Sequence, residues 1–179
     1  MPSIRRVGTS ALTPAEVKSL RSLLWRAFGE KDGFDEADWS HALGGWHVLA
    51  EEGDQLLGHA SVVTRTIEVE GERWDAGYVE AVATHPLHQG QGIGTRVMAA
   101  IGEIISERHP LGVLGTGSFH FYERLGWRRW QGPSGVRTSS GIERTPEDDG
   151  YIMVLLMQET SYLDLAGLIT CDWREGDVW

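Results

Sequence analysis

Three glycines fall within five positions of Gln89-Gly90-Gln91-Gly92-Ile93-Gly94, between an extended run from Gly77 to Thr84 and a helix-compatible run from Thr95 to Arg108. Glycine is free of the Cβ restriction on positive φ, so such a segment turns tightly and directs several N–H groups toward one point. A helix N-terminus directly behind that point adds positive partial charge. Strand, glycine loop and helix in this order predict a β–α turn that cradles an anion, and a pyrophosphate suits it best. The better-known phosphate loops are excluded by spacing. No Lys-Ser or Lys-Thr follows the glycines, and Gly94 stands one position too early to complete G-x-G-x-x-G after Gly90 and Gly92.

The rest of the chain reads as one domain over residues 1–179, with no repeat, low-complexity segment or linker. Ser3 to Val7 is a candidate first strand. Thr13-Pro14-Ala15-Glu16 is a helix start, with Thr as N-cap, Pro first in the helix and Glu three after the cap. Val17, Leu20, Leu24 and Phe28 follow at helical spacing. Asp35 to Leu43 predicts a second helix, stopped by Gly44-Gly45. Strands are predicted over Trp46 to Glu51, Gln55 to Glu70 and Arg73 to Thr84, the last two joined by a hairpin at Glu70-Gly71-Glu72. Leu111 to Leu114 reads as a buried strand and Ser118 to Leu125 as a short helix closed by Gly126. Trp127 to Val136 is expected as a strand, Arg137 to Gly150 as a loop, and Tyr151 to Met157 as the last strand before a docked tail.

Formal net charge is −10, a field that repels nucleic acid and favours a basic small molecule. No apolar run reaches the length of a membrane span, and the first residues lack the apolar core of a signal peptide. Cys171 is the only cysteine, so it is expected as a small buried side chain in a cytoplasmic protein. His85 and His88 stand in a turn without further ligands, so no metal is expected there; His47 and His59 lie in strands, as hydrogen-bonded core or rim residues.

The spacing Q/R-x-x-G-x-G/A, filled by Gln89, Gly92 and Gly94, resembles the acetyl-CoA pyrophosphate loop of the GCN5-related N-acetyltransferase (GNAT) superfamily. Phe121-Tyr122-Glu123-Arg124-Leu125-Gly126-Trp127 matches a second pattern of that superfamily. Further blocks are similar to aminoglycoside 2'-N-acetyltransferases: Ala76 to Val82, Asp38-Trp39 with Leu43-Gly44-Gly45-x-His47, Trp130-x-Gly132-Pro133, Arg144 to Gly150, and Cys171-Asp172-Trp173-Arg174-x-Gly176-Asp177-x-Trp179. The resemblance implies an α+β fold, a mixed, mainly antiparallel sheet flanked by helices, with the strands of Val79 and Leu114 splayed apart. It also implies a homodimer.

For the site, the resemblance implies acetyl-CoA as cosubstrate and no metal. Val82, Ala83 and Thr84 would meet pantetheine as an added strand does, and Gln89, Gly90, Gln91, Gly92, Ile93 and Gly94 would hold the pyrophosphate. Acetyl would pass directly to the 2'-amine of a cationic aminoglycoside through a tetrahedral intermediate, a reaction that confers antibiotic resistance. Glu80 would take the ammonium proton or attract the cation, Tyr122 would protonate the thiolate if its surroundings lower its pKa, and the N–H groups of Glu80 to Val82 would face the oxyanion. Asp32, Asp38, Glu80, Ala81, Asp148, Asp177 and Trp179, the last through its α-carboxylate, would bind the acceptor. Asp35 is an alternative to Asp32, because the Phe28–Asp38 segment is longer than the family pattern. At Gly115 a family serine is missing, with Thr116 or Ser118 as substitutes. A different amine acceptor (a polyamine, a peptide N-terminus or another amino sugar) and a non-catalytic binding module remain open.

Overall fold

The computed structural model describes residues 1–29 and 33–179, so Asp32 lies outside the described residues. The helix start at Thr13 forms as its sequence requires. Thr13 and Glu16 make a reciprocal capping box, and Pro14 opens α1 (Pro14–Phe28). Leu20, Leu23 and Leu24 of this helix are buried, with Val17 and Phe28 packed at the margin of the same cluster. Asp35 caps α2 (Glu36–His41) in the same way, accepting from the N–H groups of Ala37 and Asp38.

The chain forms two compact units. The first comprises Met1–Val63 and Val79–Ile104. In it β1 (Ser3–Gly8) pairs antiparallel with β2 (Trp46–Glu52), and β2 with the first part of β3 (Gln55–Val69). The final residues of β4 (Glu72–Thr84) and most of α3 (Ile93–Arg108) belong to the same unit. Its core joins Val7, Leu20, Leu23, Leu24, Trp39, Leu49 and Ala83. Residue Ile93 enters β3 over Gly58, where a Cβ would stand 2.7 Å from its Cγ2, so the absent side chain seats the first turn of α3.

The second unit comprises Thr64–Tyr78 and Ile105–Trp179. It contains β5 (Leu111–Gly115), α4 (Phe119–Glu123), β6 (Arg128–Arg129), β7 (Ser134–Thr138), β8 (Gly141–Arg144), β9 (Ile152–Leu156) and β10 (Ile169–Asp172). Its strands run in the order β6-β9-β5-β4-β3-β10-β7-β8. The β4–β5 and β10–β7 pairs are parallel; β5–β9, β6–β9, β7–β8 and β3–β10 are antiparallel. The hairpin from β3 to β4 turns through Glu70 and Gly71, with φ of 50° and 86°.

Three sequence expectations change here. The strand expected over Trp127 to Val136 divides into β6 and β7. Between them Trp130 dips into the core and donates its indole N–H to Gly167 O at 2.9 Å, while Gly132 passes so close that a Cβ would meet Gly167 O at 2.1 Å. The expected loop from Arg137 to Gly150 contains the β7–β8 hairpin and a 3-10 turn over Pro146–Asp148. All four residues of β8 are exposed, so no apolar alternation marks the strand. The tail also contributes β10, whose Ile169, Thr170 and Cys171 are buried. Among the described residues no helix is long and apolar enough to cross a membrane.

Candidate active site

The expected site residues divide between the two units. In the first, the glycine loop is an exposed turn ending at the N-terminus of the sixteen-residue α3. Gly90 and Gly92 have φ of 74° and 78°, a region that other L residues enter only at a cost. A Cβ at either would meet nothing within 4 Å. Backbone conformation therefore requires these glycines, and the space beside them is open. Gln89 and Gln91 are exposed, whereas Ile93 is buried and anchors the helix.

Glu80, Ala81, Val82, Ala83 and Thr84 follow one another along β4. Its pairing with β5 covers Gly77↔Gly112 and Tyr78↔Val113, while β4 itself continues to Thr84. The side chains of Ala81 and Ala83 pack on the core that holds α1 and Trp39 of α2. Ala81 has φ 51° inside the strand, the kind of backbone reversal found at β-bulges that re-aim side chains. Asp38 and Asp35 spend carboxylate oxygens on the α2 cap: Asp38 Oδ2 accepts from Asp35 N–H at 2.9 Å.

Beyond β4, His85 accepts from the Leu87 N–H and meets Arg26 at 3.0 Å through Nε2. Burial, then Arg26 and His88, hold its pKa below the ordinary histidine value. Its ring meets His88 edge-on at 5.3 Å.

In the second unit, Tyr122 lies on α4, buried against Phe121 and Trp127. Burial pushes its pKa up to about 12. The role expected from the sequence needs surroundings that lower it, and burial does the opposite. Tyr122 is thus a protonated group throughout the neutral range and a weak acid.

The carboxy-terminus is docked. Arg65 donates to Val178 O and to Asp172 O, each at 2.8 Å, and lies over the Tyr78 ring at 4.6 Å. The thiol of Cys171 donates to Val178 O at 3.2 Å, and burial raises its pKa. The Trp179 indole N–H donates to Thr145 Oγ1 at 3.1 Å. A Cβ at Gly115 would stand 3.4 Å from the Trp179 carboxyl carbon, so the missing side chain leaves room beside the terminus. Thr116 Oγ1 is engaged in accepting from the Ser118 N–H at 3.0 Å.

Thr145 also opens the turn that carries Asp148. Burial comes first in raising the Asp148 pKa, with Glu147, Asp177 and Asp149 adding to it. Thr145 therefore hydrogen-bonds both the Trp179 indole and the Asp148 carboxylate, and Asp177 adds to the negative field at Asp148. The sequence reading missed Arg65, Thr145 and Tyr78 as the residues that hold the terminus. Arg65 is the single Lys or Arg of β3, which was the available signal.

The acetyltransferase (GNAT) domain profile matches residues 9–130. An aminoglycoside 2'-N-acetyltransferase from Mycolicibacterium fortuitum is 39% identical over 98% of this chain and 91% of its own. A GNAT family N-acetyltransferase (YhbS) from Escherichia coli, solved in complex with CoA, shares the fold with TM-score 0.62 and 16% identity, over 95% of this chain and 89% of that one. A GCN5-related N-acetyltransferase from Kribbella flavida superposes with TM-score 0.59 and 20% identity over 74% of this chain. This chain spans only 34% of that protein's length. With the GNAT fold shared and the similarity running from end to end, the chain belongs to the aminoglycoside 2'-N-acetyltransferase family of GNAT acetyltransferases.

Proposed function

We propose that this protein transfers acetyl from acetyl-CoA to the 2'-amine of an aminoglycoside, conferring resistance, as a single cytoplasmic domain that forms a homodimer and needs no metal. The observation that carries the acceptor assignment is the negative field at Asp148, to which Glu147, Asp177 and Asp149 add, on the turn whose Thr145 receives the Trp179 indole. Carboxylates paired with ammonium groups make strong charge-assisted hydrogen bonds. The net charge of −10 draws the same cation toward the protein.

Acetyl-CoA supplies an acyl group already activated as a thioester. The Gln89–Gly94 loop and the α3 N-terminus would hold its diphosphate through main-chain N–H groups, and the main chain of Val82 to Thr84 would pair with its amide arm. Glu80 takes a proton from the acceptor ammonium, leaving the amine lone pair able to attack. The N–H groups of Glu80 to Val82 offer hydrogen bonds to the developing oxyanion. Tyr122 keeps its proton at neutral pH and can give it to the departing sulfur. With a pKa of about 12 against ~8.5 for a thiol, full transfer is uphill by ~5 kcal/mol. Tyr122 thus acts more as a hydrogen-bond donor that stabilises the thiolate than as an acid that fully protonates it.

The decisive measurement compares aminoglycosides that differ only in an amine or a hydroxyl at the 2' position, following CoA release with a thiol reagent. Turnover is expected on the 2'-amines alone. Equal rates on the 2'-hydroxyl forms would overturn the regiochemistry, and no CoA release from any of them would overturn the transferase reading.

A further inference from the structure

The left-handed residue in β4, Ala81, is not a glycine, and such a conformation costs ~1–2 kcal/mol. It persists where neighbours over-determine it. A carbonyl turned out of a strand ladder needs another donor. Two side chains on one face of β3 provide donors here. His59 Nδ1 lies 2.8 Å from Ala81 O, and Ser61 Oγ lies 3.4 Å from Glu80 O.

Behind His59 stands a buried chain of hydrogen bonds. His59 Nε2 is 2.9 Å from His47 Nδ1, and His47 Nε2 is 2.8 Å from Thr9 Oγ1. Thr9 Oγ1 accepts from the Gly44 N–H at 3.0 Å, and the Thr9 N–H donates to Gly45 O at 2.9 Å. Gly45 is obligatory in this arrangement, since a Cβ would fall 2.0 Å from Val62 O. Both imidazoles are fully buried. Burial lowers the pKa of His47 to about 4 and that of His59 to about 3, so both rings are neutral.

Neutral rings leave one consistent set of protons. Ala81 O can only accept, so His59 carries its proton on Nδ1. His59 Nε2 then accepts from His47 Nδ1–H, and His47 Nε2 accepts from the Thr9 hydroxyl. The Thr9 hydroxyl also lies 3.2 Å from Gly45 O, the more distant of its two acceptors, so along the shorter contacts each proton points toward Ala81.

We propose that His59, backed by His47 and Thr9, is the positioning residue that fixes the Glu80–Ala81 backbone and thereby aims the Glu80 carboxylate and its neighbouring N–H groups. The proposal rests on the role given to Glu80 above. Ordinary core packing would explain two buried histidines, but not an ordered donor series that ends on the one left-handed residue of the strand.

The test uses the full chain with three substitutions. His59→Leu removes the donor while filling the space, His59→Asn keeps an N–H on Cγ, where the ring carries Nδ1, within reach of Ala81 O, and His59→Gln moves its amide one carbon further, to the place of Nε2. In His59→Leu, kcat is expected to fall about 10- to 100-fold, because small misplacement of a reacting group is costly. KM for acetyl-CoA should change less than about threefold, and His59→Asn should recover most of the rate. Added to Glu80→Gln, His59→Leu should cost less than it does alone, since part of its effect runs through that carboxylate. Nitrogen-15 NMR should show His59 protonated at Nδ1 in the native protein. The amide resonances of Glu80 and Ala81 should shift in His59→Leu and return in His59→Asn. Equal losses from His59→Leu with and without Glu80→Gln, or unmoved Glu80 and Ala81 resonances in the folded variant, would overturn the proposal. If His59→Leu does not fold, His59→Gln decides: native kcat with unmoved resonances refutes it, and loss with shifted resonances supports it. If the native protein transfers no acetyl group, the functional reading falls, and the resonances alone judge the positioning.

Discussion

The two units prepare for ligands by opposite means. In the first, the pieces are backbone: glycines at positive φ, a helix N-terminus, and a strand whose direction is set at Ala81 by a buried and neutral histidine. In the second, the pieces are charges. Arg65 clamps the tail carbonyls, and Asp177 adds to the negative field that helps raise the Asp148 pKa. A diphosphate arm and a peptide-like tether are the same in every turnover, and main chain recognises them without depending on side-chain identity. A polycationic acceptor needs opposing charge, which on the proposed reading the side chains of the second unit would supply.

Three experiments would break or sharpen this contrast. The largest effect is expected from deleting Val178-Trp179. It removes the carbonyl that Arg65 and Cys171 both reach, the indole bond to Thr145 and the terminal carboxylate in its present place. Aminoglycoside affinity measured by calorimetry should fall about 100-fold, as when one partner of a buried charge pair is lost. Acetyl-CoA affinity should stay unchanged. Native drug affinity in the truncated protein would erase the distinction between the units.

Acidification should next expose the neutral histidines of the first unit. Their folded pKa values of about 4 and about 3 lie below the ordinary 6.5. Below 6.5 the unfolded chain binds more protons than the folded one. Stability is therefore complete above that pH and is lost as pH falls toward the folded values, by up to about 1.4 kcal/mol per pH unit for each ring. Urea unfolding between neutral and acid pH should show this slope, and His47→Gln should flatten it. An identical slope in the variant would assign the acid limb to carboxylates instead.

The smallest effect is expected at the glycine loop. Gly92→Ala meets no neighbour, so only its φ of 78° opposes it. Acetyl-CoA binding should weaken by about 1–2 kcal/mol, with aminoglycoside binding intact. An unaffected cosubstrate affinity would mean that the loop does not hold the diphosphate in the conformation seen here.

Legibility in the sequence follows the same division. The Thr13-Pro14-x-Glu16 cap, the Glu70-Gly71 hairpin and the glycine loop were readable because each depends on a few neighbouring residues and on backbone sterics. The β7–β8 hairpin was not, since all of β8 is exposed and no apolar periodicity marks it. Nor was the break between β6 and β7, which comes from Trp130 and Gly132 meeting Gly167, residues distant in the chain. The candidate acids Asp38 and Asp35 show the limit of a motif: their place was legible, but not that the α2 cap uses their oxygens.

By itself the sequence determined the strand–loop–helix order, the cap of α1, the need for glycine where φ is positive, and a family resemblance running the length of the chain. These are local matters, fixed by sterics and hydrogen bonds between near neighbours. Tertiary structure alone decided that Tyr122 is buried and its acidity weakened, that Arg65 and Thr145 hold the last two residues, and that a donor series from Thr9 ends on Ala81. Each of these depends on desolvation or on partners brought together by folding, and neither quantity exists until the chain has packed.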